Sequence, residues 1–199
     1  MTRAYFTFGR FQPPTIGHKR VFDSLYESSL KDKADHFVFV SHTMDSLRNP
    51  ISPGKKILFL ENMFPHLNVV SLDYGIINPY QAARIISENG YKNVKMFVGG
   101  DRATEFQTGI RAYINHPDPT KSYAFENFSV VDAGSRLDED DTISKASGTK
   151  ARELALSGQL DLFAEMIPSD DDNIIESIYY AIREGSQLSE AEIIRNTLI

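Results

Sequence analysis

The chain has 199 residues, 41% of them hydrophobic and 24% charged, with no cysteine, no tryptophan and a formal net charge of −6. That length suits one domain with a sizeable core, and the composition excludes collagenous, low-complexity and wholly disordered chains. The missing cysteines exclude disulfide scaffolds, cysteine-built zinc sites and thiol nucleophiles.

No apolar run reaches the roughly 18 residues that span a bilayer, and the amino terminus lacks the basic start and long apolar run of a signal peptide. Neither a membrane nor export is expected, and the cytoplasm is the expected compartment. The charge is uneven: residues 169 to 199 hold seven acids against Arg183 and Arg195, and so carry −5 of the −6. The nearly neutral body lacks the basic footprint of a nucleic-acid-binding protein, which leaves small ligands as the expected partners.

Five runs rich in β-branched and aromatic residues follow one another: Arg3 to Phe8, His36 to Ser41, Leu67 to Leu72, Val94 to Gly99 and Phe128 to Asp132. Their starts lie 33, 31, 27 and 34 residues apart, the length of a βαβ crossover rather than of a hairpin. Strands such as Phe37-Val38-Phe39-Val40 are apolar on both sides, as a doubly covered sheet requires. The expected architecture is therefore α/β, a Rossmann-like, doubly wound, five-stranded parallel sheet. Helices are predicted over Lys19 to Leu30, Lys55 to Phe64 and Tyr80 to Asn89, from apolar residues at helical spacing and from prolines at 53 and 79. Lys55 and Lys56 read as a solvated helix face. His116-Pro117-Asp118-Pro119 must turn, and Gly134 to Asp141, with four acids, reads as a solvated loop, a calcium site being the less favoured alternative.

The last segment, 169 to 199, reads as an acidic helical tail of two helices joined at Gly185-Ser186, appended to a body of residues 1 to 168. Its Ile174, Ile175, Ile178, Tyr179 and Ile193, Ile194, Leu198 faces need a covering surface, either the body or a second subunit. A homo-oligomer formed through this tail is the expectation.

Two constellations carry chemistry. The first strand runs into Gly9-Arg10-Phe11-Gln12-Pro13-Pro14-Thr15-Ile16-Gly17-His18, after which a helix begins. Strand, glycine-bearing turn and helix start together make the anion site of open α/β sheets, where free N–H groups and the helix dipole converge. Gly9 and Gly17 alone could merely shape a turn, and His18 alone could merely cap it; their co-occurrence with Arg10 and Thr15 favours a phosphate. The second is Ile143-Ser144-Lys145-Ala146-Ser147-Gly148-Thr149-Lys150-Ala151-Arg152. Ser147 or Thr149 would cap a helix there. Lys150 and Arg152 in its first turn oppose the helix dipole unless an anion binds, so the set describes a polyphosphate clamp.

Together these segments resemble the nucleotidyltransferase superfamily that carries a T/H-x-G-H signature near its start and an I-S-x-x-x-x-R type signature near the end of its fold. Thr15-Ile16-Gly17-His18 matches the first in its threonine form, as in phosphopantetheine adenylyltransferases, and Ser147 to Arg152 matches the second. The string Gly9-Arg10-Phe11-Gln12-Pro13 is more like nicotinamide mononucleotide adenylyltransferases. Asn49-Pro50-Ile51-Ser52, Met63-Phe64-Pro65 and Ser147-Gly148-Thr149-Lys150 look like phage-encoded members, for which the compartment would be the host cytoplasm. The resemblance spans residues 1 to 168 and leaves the tail outside.

The resemblance implies transfer of a nucleoside monophosphate from a nucleoside triphosphate to a phosphate monoester, with release of pyrophosphate. It implies that His18 and Thr15 act at the α-phosphate, that Arg48 meets the acceptor phosphate, and that Ser147, Gly148, Thr149 and Arg152 hold the β and γ phosphates. Gly9, Arg10, Phe11 and Gly17 would line the nucleotide, as would Gly100 and Asp101 in Val98-Gly99-Gly100-Asp101. For Arg48 a solvated loop charge, and for Asp101 a helix cap, are equal alternatives. Magnesium would arrive on the triphosphate, with no dedicated carboxylate cage.

Departures narrow the choice. No tryptophan is available to stack on a base, and Thr15 replaces the first histidine of H-x-G-H, which speaks against nicotinamide mononucleotide as acceptor. The cytidylyltransferase string R-T-x-G-I-S-T-T is not reproduced, which favours ATP over CTP. Against these stands a different class of function, a nucleotide-fold protein kept for binding or assembly. A synthetase adenylation module would need further domains that 199 residues do not hold.

Overall fold

The structure, a computed structural model, describes residues 2–70, 72–134 and 147–187. The predicted acidic loop from residue 135 on, Ile143 to Ala146 and the second tail helix lie outside the described residues.

Four parallel strands form the sheet: β1 (Arg3–Gly9), β2 (Asp35–Val40), β3 (Asn93–Val98) and β4 (Asn127–Asp132). Their order is β2-β1-β3-β4. The expected fifth strand over 67–72 is not formed as one. Val38 N–H donates to Asn68 O (2.9 Å) and Val70 N–H to Val38 O (3.0 Å), a single parallel bridge on the outer edge of β2. The ladder ends there because a 3-10 turn, Leu72–Tyr74, follows at once. Apolar composition placed the segment beside the sheet, but too few residues run straight to make a strand.

Helices α1 (Ile16–Asp32), α2 (Pro53–Met63) and α3 (Pro79–Glu88) stand where apolar periodicity predicts them. Helix α1 starts three residues earlier than expected, so Gly17 and His18 lie inside its first turn. Helix α4 (Ala103–Arg111) is an element the sequence did not announce; only Phe106 and Ile110, one turn apart, are buried along it. Beyond β4 come α5 (Gly148–Leu156), α6 (Leu160–Ala164) and α7 (Asp172–Gly185).

Each sheet face has its own core. Tyr5, Val38, Val40 and Phe97 pack with Phe22, Leu25 and Leu60 of α1 and α2. On the reverse face Ala4, Phe6, Phe39 and Met96 pack with Ala82, Ile86, Phe106 and Ile110 of α3 and α4. A third cluster joins Ile51, Ala151, Leu154, Phe163 and Ile167 to Ile175, Ile178, Tyr179 and Ile182 of α7. The apolar face of the first tail helix is thus covered within the chain, while Ile193, Ile194 and Leu198 lie outside the described residues. Arg183 reinforces this packing by donating to Ala155 O (2.7 Å) at the carboxyl end of α5. Among the described residues no helix is long and apolar enough to cross a membrane.

Strand β1 is paired to β3 only from Arg3↔Asn93 to Phe6↔Met96, although β1 runs on to Gly9 and β3 to Val98. The two strands part at their carboxyl ends, where the chain order reverses across the sheet. That crevice is where open α/β sheets accept ligands.

Candidate active site

The turn after β1 is built around Phe11. Its backbone is left-handed (φ 47°), and its ring lies so close over Gly9 that a Cβ there would sit 2.5 Å from it. Any side chain at position 9 would have to push this ring aside. Phe11 is buried and meets the His18 ring edge to face at 5.2 Å. Arg10, beside it, is exposed.

Thr15 caps α1 and His18 is the third residue of that helix. The Thr15 N–H donates to His18 Nδ1 (3.0 Å), with Thr15 Oγ1 also 3.0 Å from Nδ1. An accepting Nδ1 leaves the ring proton on Nε2. Burial pushes the imidazole pKa down to about 4, so at neutral pH the ring is an uncharged donor.

The second motif arrives against the same turn. Ser147 caps α5, its Oγ accepting the Lys150 N–H (3.1 Å), which settles the choice between Ser147 and Thr149. A Cβ at Gly148 would lie 3.0 Å from Gln12 O, so the helix start rests on the loop of the first motif. Arg152 Nη1 donates to that same carbonyl at 2.5 Å, and Nη2 to Thr149 Oγ1 at 3.3 Å. Burial lowers the Arg152 pKa, and the charges of Arg10 and Arg48 lower it further, while Asp45 and Glu153 oppose them. Lys150 points away into an exposed pair with Glu153 (3.5 Å).

The loop after β2 supplies the third side. Asp45 Oδ1 accepts the N–H groups of Leu47 (3.0 Å), Arg48 (2.5 Å) and Asn49 (3.2 Å), which shapes the loop and presents Arg48 in solvent. Lys56 corrects the sequence expectation: it is not on a solvated face but fully buried, 0% exposed, its Nζ donating to Ser41 O. Burial, with the Arg10 charge added, pushes its pKa down to about 7. Lys55 is the solvated one, paired with Glu184 at 3.0 Å. Lys56 in turn depresses His42, whose own burial acts first. The signal that finds Lys56 is its spacing: Pro53, Lys56, Ile57 and Leu60 share the buried face of α2.

Gly99 and Gly100 turn the chain after β3, Gly100 with φ 68°. Both the Gly100 N–H (3.2 Å) and the Gly134 N–H (3.0 Å) donate to Asp132 Oδ1 at the end of β4. Asp101 lies in the 3-10 turn Gly100–Arg102. The sequence did not single out Asp132 or Gln12, because one reads as a strand end and the other as a turn residue.

Arg10, Arg48, Lys56 and Arg152, from four elements beyond the carboxyl ends of the strands, stand near enough for Arg10 to act on Lys56 and for Arg10 and Arg48 to act on Arg152, and none of them forms an ion pair among the described residues. At the other end of the sheet a cavity of about 790 Å³ is lined by Arg3, Tyr5, Asp32, Asn93, Lys95 and Ser129, among others. Within it, Lys95 Nζ pairs with Asp32 Oδ2 at 2.8 Å, and the Tyr5 OH donates to the same oxygen. The two sequence motifs meet at the opposite end of the sheet from that cavity, where Arg152 rests on Gln12 O.

No family model and no curated protein matches this sequence. Solved structures do match in fold. Plasmodium falciparum nicotinic acid mononucleotide adenylyltransferase complexed with NaAD superimposes with a TM-score of 0.62 at 12% identity, over 90% of this chain and 96% of that one. The same enzyme complexed with APC gives 0.59 at 14% identity, over 90% and 96%. A bifunctional NMN adenylyltransferase/ADP ribose pyrophosphatase from Francisella tularensis, complexed with AMP and a manganese ion, gives 0.56 at 14% identity, over 94% of this chain and 52% of that one. The chain has the fold of these adenylyltransferases, a Rossmann-like parallel α/β sheet.

Proposed function

We propose that the protein transfers AMP from ATP to a small phosphate-monoester acceptor and releases pyrophosphate. The observation that carries this reading is that the two motifs meet at Gln12 O, where Arg152 docks, with a neutral His18 donor in the first motif and with the charges of Arg10 and Arg48 felt by Arg152, and that of Arg10 by Lys56, without ion pairs among the described residues. Four desolvated or facing cations repel one another, and a set of phosphates is the partner that relieves them.

In this reaction an acceptor phosphate oxygen attacks the α-phosphorus, the bond to the β-bridging oxygen breaks, and its electron pair leaves with pyrophosphate. The attacking oxygen is already ionised, so the protein needs no strong base and works by positioning and charge stabilisation. His18 donates from Nε2 to an α-phosphate oxygen as charge gathers there, and Thr15 fixes the tautomer. Arg152, Ser147 and Thr149 take the β and γ phosphates, with the free N–H groups of the α5 start. Arg48 takes the acceptor phosphate, the buried Lys56 Nζ stands behind it without touching the ligand, and Arg10 stands between the two sets. Gly9, Phe11, Gly17, Gly100 and Asp101 line the nucleotide. Magnesium would travel on the triphosphate.

The acceptor side is walled by the loops after β2 and before α3, which His42 N–H to Ile76 O (2.7 Å) holds together. Leu47, Tyr74 and Ile77 stand exposed on them, apolar surface suited to a ring-bearing acceptor. A pyrophosphate-release screen tests the function: four nucleoside triphosphates crossed with phosphate monoesters, including nicotinate and nicotinamide mononucleotides and phosphopantetheine. Release only with ATP and one acceptor class is the expected result. No release with any pair would leave a binding protein.

A further inference from the structure

Gln12 is buried, 3% exposed, yet its side chain holds no ligand-facing role in the scheme above. Its amide closes both hydrogen bonds of one residue in the opposite loop. Nε2 donates to Ile51 O at 2.7 Å, and Ile51 N–H donates to Oε1 at 2.9 Å. Its main-chain carbonyl accepts from Arg152 Nη1 (2.5 Å) and lies under Gly148. A single residue thus ties the loop that carries Arg48 to the helix start that carries Arg152. Ile51 cannot drift away from it, since Ile51 is fully buried under α7 and a Cβ at Gly185 of α7 would lie 1.9 Å from Pro50 O.

We propose that Gln12 is a positioning residue: its two-way amide bond to Ile51 sets the separation between the acceptor-phosphate cation and the triphosphate cation. The proposal rests on the adenylyl-transfer reading. Buried main-chain groups such as those of Ile51 must be paired, so a side chain that cannot reproduce both bonds displaces the loop or leaves it unsatisfied. Glutamine is the one common side chain of this length that presents a donor and an acceptor together without charge.

Two substitutions separate this role from simple filling. Gln12→Met keeps the length and removes both bonds; Gln12→Glu keeps the acceptor and regains the donor only when its carboxyl is protonated. Amide hydrogen exchange at Ile51, read without any ligand, should be faster in Gln12→Met at every pH. In Gln12→Glu, which keeps the acceptor of the Ile51 N–H and loses the donor to Ile51 O, exchange relative to the wild type at the same pH should be raised less than in Gln12→Met at pH 8 and should match the wild type near pH 5.5. Calorimetric titration with ATP should show affinity weakened about tenfold in Gln12→Met, and weakened in Gln12→Glu at pH 8 with recovery at pH 5.5. Gly185→Ala, which presses on Pro50 from the far side without changing charge, should weaken ATP binding in the same sense.

Unchanged Ile51 exchange in Gln12→Met overturns the proposal, and so does altered exchange with wild-type ATP affinity, which would make Gln12 purely structural. If the wild type itself binds no ATP, the adenylyl-transfer reading fails and the proposal falls with it. If Gln12→Met does not fold, Gly185→Ala and Gln12→Glu at pH 5.5 against pH 8 decide the question alone.

Discussion

The two ends of one sheet treat charge in opposite ways. At the amino ends of the strands, Lys95 and the Tyr5 hydroxyl hold the Asp32 carboxyl down at about 2, and the Lys95 pKa rises with its partners. Lys95 and Asp32 answer each other there as an ion pair inside the chain. At the carboxyl ends Lys56 is pushed down to about 7, His18 to about 4 and Arg152 downward as well, the first cause in each case being burial. Crowding desolvated cations together costs a fold stability, and the proposed function gives that cost a purpose, phosphates that would relieve it.

If this contrast is functional, substitutions at the two ends must differ in kind. His18→Ala should lower turnover by about a hundredfold to a thousandfold, the loss typical of one transition-state donor, with an unchanged melting temperature. Turnover near wild type in that variant would make His18 structural only.

Lys56→Met should weaken use of the acceptor by about tenfold to a hundredfold in kcat/KM, while melting within about 2 °C of wild type or above it. The reason is linkage. The folded-state pKa of Lys56 is lowered, so the unfolded chain binds the proton more tightly between about pH 7 and the usual lysine range. Wild-type stability should therefore rise with pH across that window, and the rise should vanish in Lys56→Met. A melting temperature that falls steeply in this variant would show that the buried ammonium supports the fold.

Arg152→Ala should raise KM for the triphosphate by about tenfold with a smaller change in kcat, since its contacts exist before as well as during reaction. An unchanged KM would remove Arg152 from the triphosphate site. At the other end, Lys95→Met should leave turnover within about twofold, because nothing there touches the crevice. Its mark should be on acid stability instead: Asp32 has a depressed folded pKa, a contribution present above the ordinary carboxylate value and lost as pH falls toward 2. Acid unfolding of Lys95→Met that superimposes on wild type would show the pair to be without weight.

The two ends also differ in how far the sequence disclosed them. Thr15, Gly17 and His18, and Ser147 to Arg152, were legible because each set lies within one turn of one helix, where spacing fixes neighbourhood. That Arg152 would rest on Gln12 O was not, since 140 residues separate them and no local rule joins them. Lys56 was misjudged because charge outweighed position: its place one turn from Pro53 and Leu60 puts it on the apolar face of α2. The same limit explains the fifth run. Val69 and Val70 read as strand, but the turn at Leu72–Tyr74 cuts pairing to one bridge. For α7 the apolar stripe was plain and its covering surface was not. Ile182→Ala should accordingly cost about 2–5 kcal/mol of stability as a buried core truncation, without a change in mass by light scattering. A change in mass at unchanged stability would return that face to a subunit boundary.

The central claim is that the carboxyl-end cations are mismatched until phosphates arrive, and proton uptake on binding tests it most directly. Calorimetric titration of the wild type with magnesium-ATP at pH 8, in buffers of different ionisation heat, reads that uptake while the triphosphate, with a phosphate pKa near 6, holds no proton of its own. Phosphates that neutralise Arg10 remove one of the two causes that depress Lys56, so binding should draw up to about one proton from solution, and Lys56→Met should draw none. Binding heat independent of buffer in the wild type, or uptake undiminished in Lys56→Met, would contradict the account.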